Sequence, residues 1–467
     1  MADKSQSGGR AGRIAVILGL LLVANSAYVA AFGDANLFYV ANALIHPLLG
    51  GAALAAVIVY IFKSGSKFRL AEPGMYLFYI SAGFGIFLAL AGMTRPHSLA
   101  LYAHVATGLA AVLFILLRLR KLAKAARAGR RLAPTSDAAS FDPRVYSLSA
   151  GVMMVSAFFY LTFAAYHHLH PDSEFQIQNP STAPLSMDGE GGGPTSLLFP
   201  SSATTVDDRP IKSKFFMDSE SCQKCHPDIY AQWKSSMHHF ASFNNQWYRK
   251  SIEYMQDTIG IRSSMWCAGC HDHALAFADL MQKRPIREIE GTPEGQNGLG
   301  CMSCHSIVHV KDSMGQGGFV MEYPPLDELA SSKNPVLHWL HNYAVLLDPK
   351  PHRNAFLKPF HKDPRLVPEF CSACHKVHLD VPVNHYRWIR GFDDYDNWQA
   401  SGVSGLGARS FYYPPQPQMC VDCHMPLVPS KDFANLNGFV HSHRFAAANT
   451  AVPASYGDKE QVQAVEK

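Results

Sequence analysis

Hydrophobic positions fall into two regimes along the 467 residues. Five apolar stretches come first, at roughly Ile14–Phe32, Asn36–Phe62, Met75–Met93, Ser98–Leu117 and Ser147–Tyr166. Each is close to the ~20 residues that a helix needs to cross a bilayer core, and none contains Lys, Arg, Asp or Glu. Basic residues precede the first stretch as in a signal peptide, but four further spans follow closely, so it reads as a retained helix. From residue 169 to 215 the pattern gives way to Pro, Ser, Thr and Gly, which predicts a linker without regular structure. Its Leu197, Leu198, Phe199, Phe215 and Phe216 suit an extended strap laid over a folded domain. Residues 216–445 show neither a sustained helical period nor strand alternation and predict short helices among loops. The Pro-rich second half of this region is expected to be mostly irregular, and residues 446–467 form a polar, loosely bound tail. The fold class is therefore mainly α: a transmembrane bundle over residues 1–168, then a loop-rich, mostly helical domain.

Charge separates the same two regions. Before His167 there are fifteen Lys plus Arg against five Asp plus Glu, a net of +10; the remaining 26 basic and 32 acidic residues give −6. The basic excess thus belongs to the membrane half, and nucleic-acid binding is not indicated. Lys4, Arg10 and Arg13 precede the first span, Lys63, Lys67 and Arg69 follow the second, and seven basic residues from Arg118 to Arg131 follow the fourth. The first and third loops hold little beyond Asp34 and Arg95. The positive-inside rule puts the N-terminus in the cytoplasm and, after five crossings, everything beyond Tyr166 outside. That is the periplasmic side of a bacterial inner membrane.

The second region carries the chemistry. Its pattern C-x-x-C-H occurs five times, at Cys222/Cys225/His226, Cys267/Cys270/His271, Cys301/Cys304/His305, Cys371/Cys374/His375 and Cys420/Cys423/His424. This is the c-type haem attachment pattern, in which two cysteines form thioethers and the adjacent histidine ligates iron. All ten cysteines of the chain fall in these motifs. Structural zinc would not require a histidine after each pair, and disulfides would not require the spacing. The count is five covalent haem c groups. The motifs start 45, 34, 70 and 49 residues apart, which leaves little chain per haem, so haem is expected to replace a conventional core. Gly298 and Gly300 would let backbone approach a porphyrin, and the dense aromatics around the motifs read as haem-packing surface.

Distal ligands decide what each iron does. Two histidines close it for electron transfer, and an open position permits substrate chemistry. The candidates are His238, His309, His378 and His443, with a fifth from His338, His341, His361 or His385. His239, His273, His352 and His441 are spare, and Met237 and Met265 are lesser alternatives. Inside the spans, His46 in the second and His104 in the fourth lie ~15 Å and ~10 Å below the outer helix ends at ~1.5 Å per residue. The pair reads either as the ligands of one non-covalent haem b or as two neutral, hydrogen-bonded histidines. His97, His167, His168 and His170 cluster at the outer surface, where solvation is the plain reading.

Two resemblances follow from these residues. The His pair, its nearby glycines and the helix count resemble the b-type cytochrome anchors of respiratory enzymes. The run from Cys222 through Trp233, Ser236 and His238 resembles the first haem segment of the multihaem cytochromes related to the tetrahaem electron acceptor of ammonia oxidisers. Cys301 to His309, and Cys420-Val-Asp-Cys-His-Met-Pro followed by Ser442-His443, resemble the same group, over roughly Ser219 to Pro453. The resemblance implies multihaem wrapping and His238 as a far-side ligand. This chain departs from the group in having five motifs and a membrane region. No motif exchanges its final His for Lys, the mark of the active haem in one nitrite-reducing family. The leading functional expectation is electron transfer between a quinol pool and a periplasmic or extracellular redox partner. The alternatives are a membrane-bound reductase or oxidase of a small nitrogen or sulfur compound, and an electron-wiring subunit of a larger respiratory or photosynthetic complex.

Overall fold

The computed structural model describes residues 2–64, 72–128, 141–169, 177–384, 389–408 and 410–467. The chain divides into two compact units, Met1–Pro171 with Pro325–Ala355, and Asp172–Pro324 with Phe356–Lys467.

The five apolar stretches of the first unit are helices α1 (Ala2–Ala31), α2 (Leu37–Ser64), α3 (Pro73–Ala91), α4 (Ser98–Arg127) and α5 (Pro143–Leu169). All five are long and apolar enough to cross a membrane. The apolar stretch of α4 ends at Leu117, but the helix continues through the basic residues to Arg127. Arg, Lys, Leu and Ala are all strong helix formers, so charge ends the span without ending the helix. Small residues let the helices approach: a Cβ on Gly12 of α1 would lie 3.0 Å from the Tyr60 ring of α2, and one on Gly74 of α3 would lie 2.9 Å from Ile115 of α4. Leu48, Leu90 and Phe158 point outward with large apolar exposure, as a lipid-facing surface requires. Lys67, Arg69, Arg130, Arg131 and His170 lie outside the described residues.

The segment Pro325–Ala355 falls within the stretch that the sequence assigns to the second domain, yet it packs with these helices. Its centre is a helix, Pro335–Leu347, where the sequence predicts irregular chain. The proline count misleads there, because Pro335 occupies the first helical turn, where its missing N–H costs nothing. Asn334 caps the helix by accepting from the N–H groups of Val336 and Leu337. The segment is tied to the C-terminal ends of α1 and α3. Tyr343 Oη donates to Ala89 O at 2.9 Å, Met93 N donates to Leu346 O at 2.7 Å, and Asn354 Nδ2 donates to Gly33 O at 3.1 Å.

The second unit is built from short helices and three small sheets. In the first sheet, β1 (Thr204–Thr205) runs parallel to β3 (Phe319–Met321), and β2 (Ile307–Val310) runs antiparallel to β3 with His309 opposite Val320. β4 (Lys376–Leu379) pairs with β5 (Ile389–Asp393), and β6 (Leu427–Pro429) with β7 (Phe439–His441), both antiparallel. The expectation that haem replaces a conventional core needs correction, because a contiguous apolar core surrounds the second motif. Phe216, Met265, Leu275, Phe277, Ile286 and Phe319 are fully buried in it. Each such side chain contributes about 1.5–3 kcal/mol relative to exposure. The linker supplies part of this core, burying Leu198, Phe199, Phe215 and Phe216, and it carries β1. The tail is likewise fixed and not loose: helices Ala451–Ser455 and Lys459–Glu466 dock through Gln461, whose Nε2 donates to Arg444 O at 2.9 Å. Its polarity serves hydrogen bonds to the unit's own side chains.

Gly298, just before the third motif, has φ +65°, and a Cβ there would fall 1.7 Å from His239 O. Only glycine lets the chain leading into the motif pass this close to the His238–His239 turn. Gly298→Ala should cost about 1–3 kcal/mol in backbone strain alone, before the clash. Thermal unfolding in detergent should show a clearly lower Tm than the wild type, while Gly291→Ala, with open space around it, leaves Tm nearly unchanged.

Candidate haem centres

Each motif occupies about one helical turn. The helices Met265–His271, Cys301–His305 and Cys420–His424 contain theirs outright. In the first and fourth motifs the same turn closes through His226 N to Cys222 O at 2.8 Å and His375 N to Cys371 O at 2.9 Å. A turn of this kind puts cysteines three apart on one face with the histidine next to them, as two thioethers and one axial bond to a single flat group require.

All five motif histidines are oriented the same way. Nδ1 of His226 donates to Asp432 Oδ1 at 2.7 Å, of His271 to Ala241 O at 2.9 Å and of His305 to Phe356 O at 2.9 Å. Nδ1 of His375 donates to Asp394 Oδ2 at 3.1 Å, and of His424 to Ala446 O at 2.8 Å. A hydrogen bond on Nδ1 fixes the proton there and leaves the Nε2 lone pair for iron. The donor set therefore fits haem at every motif. The two carboxylates differ: the Asp432 side chain is fully buried, whereas that of Asp394 is two-thirds exposed. The hydrogen bond from His375 holds Asp394 below the usual carboxylate range.

Cysteines of different motifs meet. Cys222 lies beside Cys301, Cys371 beside Cys420, and Cys374 beside Cys270. The fourth motif thus touches the second and fifth, and the first touches the third. Cys304 also lies near Cys374, and burial pushes its thiol up to about 12. None of the ten cysteines is in a disulfide, and nine of them are buried or half-buried.

Cys423 of the fifth motif departs from the rest. It is exposed, and its Sγ donates only a long hydrogen bond to Gln418 Oε1 at 3.9 Å. The helix Cys420–His424 lies at the outside of the second unit, where Cys420 packs inward on Cys371 and leaves Cys423 facing out. Phe411, Tyr412 and Tyr413, which precede the motif, point to solvent and do not cover it.

The distal candidates divide by what their ring nitrogens do. His238 packs 6.1 Å from the His375 ring, and its Nδ1 is out of solvent with no hydrogen-bond partner among the described residues. Burial, then His375, lower its pKa to about 3. A buried ring nitrogen without a partner marks a missing one. His443 lies 6.4 Å from the His305 ring, and its Nδ1 donates to His441 O at 2.9 Å, the same tautomer as the motif histidines. His361 stacks closer to His305, at 5.1 Å, but its Nδ1 accepts from Lys358 N at 3.1 Å, which puts its proton on Nε2. His309 is half-buried on β2. His378, buried on β4, has its Nε2 bonded to Glu190 Oε1 at 2.6 Å, so the nitrogen a ligand would use is engaged. His338 and His341 sit on Pro335–Leu347 in the first unit and bond Ala330 O and Asn342. His352 also belongs to that unit. His239 packs on Trp233, His273 is buried against Phe277 with Nε2 on Gly269 O, and His441 bonds Met425 O. Met237 is half-buried and Met265 belongs to the apolar core. His385, Tyr386 and Trp388 lie outside the described residues.

In the first unit His46 and His104 come together, with ring centroids 6.2 Å apart. His46 Nδ1 donates to Asn25 Oδ1 at 3.0 Å, and His104 Nδ1 donates to Ser81 O at 2.8 Å. Gly85 makes room: a Cβ there would lie 2.9 Å from His104 Cε1. His97 is held away, its Nδ1 on Gly92 O at 2.9 Å, and His167 packs on Phe163. The sequence carries no local signal for Asp432, Asp394, Asn25, Ser81 or Glu190, because each partner is 19 to 206 residues from the histidine it serves.

A family model described as cytochrome c554 and c-prime matches residues 221–306, which hold the first three motifs. No curated protein and no solved structure matches the chain. The match supports a c-type cytochrome that carries covalently bound haem c and works in electron transfer.

The buried Asp432 makes the first motif testable. A carboxylate on Nδ1 raises the basicity of the ligand and favours the oxidised iron. Asp432→Asn keeps the accepting oxygen and removes the charge. It should raise one midpoint potential by on the order of 60 mV, a tenfold step in a one-electron equilibrium, in a spectroelectrochemical titration. Asp394→Asn, at an exposed carboxylate, should move its haem less.

Proposed function

We propose that the chain is a membrane-anchored pentahaem c-type cytochrome that moves electrons from a membrane quinol pool, through a haem b, to a redox partner in the periplasm. The observation that carries this reading is the shared orientation of seven histidines. The five motif histidines and the His46–His104 pair all place Nδ1 on a hydrogen-bond acceptor, which frees Nε2 for a metal. Neutral, merely satisfied histidines inside a helix bundle have no reason to aim bare nitrogens into the same interior space.

Bound haem supplies one-electron exchange between ferric and ferrous iron. The chain's residues do the rest. His46 and His104 hold a site between α2 and α4 in the outer half of the bundle. The contacts among motif cysteines keep successive centres adjacent, with the fourth motif as the junction. His238 with His375, and His443 with His305, would hold haem iron, since their tautomers or vacant nitrogens suit that role. The basic residues of the N-terminus and of the second and fourth loops orient the bundle with the N-terminus inside and the motifs in the periplasm. Five spans are more than tethering requires, which favours quinone chemistry within them.

The haem count and the anchor site are tested together. Pyridine haemochrome analysis should give five haem c per chain, and acid–acetone extraction should release one further haem b. His104→Leu should abolish the extractable haem and leave the covalent five. A wild-type protein that releases none would sink the haem b assignment.

A further inference from the structure

At the outer end of α1 and α2, the first unit buries a polar cluster that electron carriage alone does not use. The Tyr39 side chain is fully buried and Asp348 is 3% exposed. Tyr39 Oη donates to Asp348 Oδ2 at 2.5 Å. Asp348 Oδ1 also accepts from Lys350 N at 3.1 Å, and the Lys350 ammonium stands 3.6 Å from the carboxylate. The ammonium donates to Val29 O and Phe32 O, the carbonyls that end α1, and lies 5.5 Å above the Tyr39 ring.

A clamp between the Pro325–Ala355 segment and α1 does not need this carboxylate. Lys350 is already held by the two carbonyls, and Tyr39 Oη has Val29 O at 3.1 Å as an alternative acceptor. Burying an ionised carboxylate is costly even when it is paired, and the contact between the segment and α1 stands without one. Below it, polar groups continue down the same face of α2. Asn42 bonds Asn25, and Asn25 bonds His46, which is two turns or ~10 Å under Tyr39. Beside Tyr39, the Tyr28 ring packs at 5.9 Å and Phe38 meets Tyr28 edge-on at 5.3 Å. Phe38 is 67% exposed, so the aromatic group beside Tyr39 offers a stacking surface to a flat ring with an isoprenoid tail.

We infer that Asp348, reached through the Tyr39 hydroxyl, is the proton acceptor of a quinol-oxidising site at the outer end of α1 and α2. The inference rests on the electron-transfer reading above and supplies its substrate class. The two O–H bonds of the quinol break and it becomes a quinone. Its two electrons leave singly and reduce two ferric haem irons to ferrous. The Tyr39 oxygen takes the first proton as its own passes to the Asp348 carboxylate. Asp348 discharges to solvent beside Lys350, whose side chain is a third exposed, and the second proton follows the same route. The other charged or titratable groups around the cluster are Asp34 and Tyr28 from α1 and its loop, and Arg353 beyond Lys350 with Arg95 near it. Burial, partly offset by Asp348, lowers Lys350, which eases proton exit past it. A carboxylate accepts a proton only when ionised, so quinol oxidation is slower in acid than at neutral pH.

The full-length, haem-loaded protein in detergent is mixed anaerobically with a short-chain quinol, and haem reduction is followed by absorbance across a range of pH. Wild type should be reduced with a rising pH profile. Asp348→Asn, which keeps the acceptor for Tyr39, should slow reduction about a hundredfold and flatten the profile. Asp348→Glu should restore both in part. As a binding readout, fluorescence titration with a hydroxyquinoline N-oxide, a quinol analogue, should weaken in Tyr39→Phe and Asp348→Asn. All variants must match wild type in haem content and in full reduction by dithionite. If wild type takes electrons from quinol and Asp348→Asn does so at the same rate, or more slowly with the pH profile unchanged, Asp348 is a clamp and the inference fails. If wild type itself takes none from quinol, the electron-transfer reading falls and this inference with it.

Discussion

A histidine can offer iron only one nitrogen, and the structure decides which by hydrogen-bonding the other. This constraint recurs at every centre. Backbone carbonyls of Ala241, Phe356 and Ala446 and the carboxylates of Asp432 and Asp394 each take the Nδ1 proton of one motif histidine. The segments that supply these acceptors come from distant parts of the chain, so folding of the second unit and preparation of its ligands are one event. Ala446 and Asp432 belong to the C-terminal region, which explains why the tail is packed against the unit through Gln461. The same rule operates in the apolar bundle, where Asn25 and the Ser81 carbonyl play the acceptors' part.

The choice between carbonyl and carboxylate grades the centres. A neutral acceptor orients the ring and little more, whereas a buried carboxylate adds electron density to the metal bond. Asp432, sealed from solvent, and Asp394, largely in water, therefore act unequally on two of the five motif histidines. A row of chemically identical motifs becomes a set of distinguishable ones through partners that the motifs do not encode.

Much of the architecture was legible because its signals are local. The uncharged spans of about twenty residues specify α1 to α5, and C-x-x-C-H specifies each attachment site without reference to anything else. His46 and His104 could be paired because helix periodicity and direction place them at similar depth. What was not legible depends on long-range contacts. His378 stands among the candidates by sequence, but its Nε2 bonds Glu190, 188 residues earlier. His361 and His443 cannot be ranked from sequence, since the distinction lies in whether Nδ1 accepts from Lys358 N or donates to His441 O. Nor does the motif say which attachment point faces water: Cys423 is open and Cys420 sheltered only because Cys371, far back in the chain, meets the latter. The helix Pro335–Leu347 was hidden by proline, a residue that ends helices in their interior and begins them at their first turn.

The chain visits its two units in alternation: Pro325–Ala355 returns to the helices between the third and fourth motifs, and Phe356 then goes straight back to supply the acceptor for His305. A tether joined at one seam can be cut away or exchanged without consequence for what it carries. Here there are three crossings, so no single cut separates a soluble electron carrier from its anchor. A truncation after Pro171 would strand an apolar helix in the middle of the remaining fragment. The anchor is therefore not a detachable module of this chain.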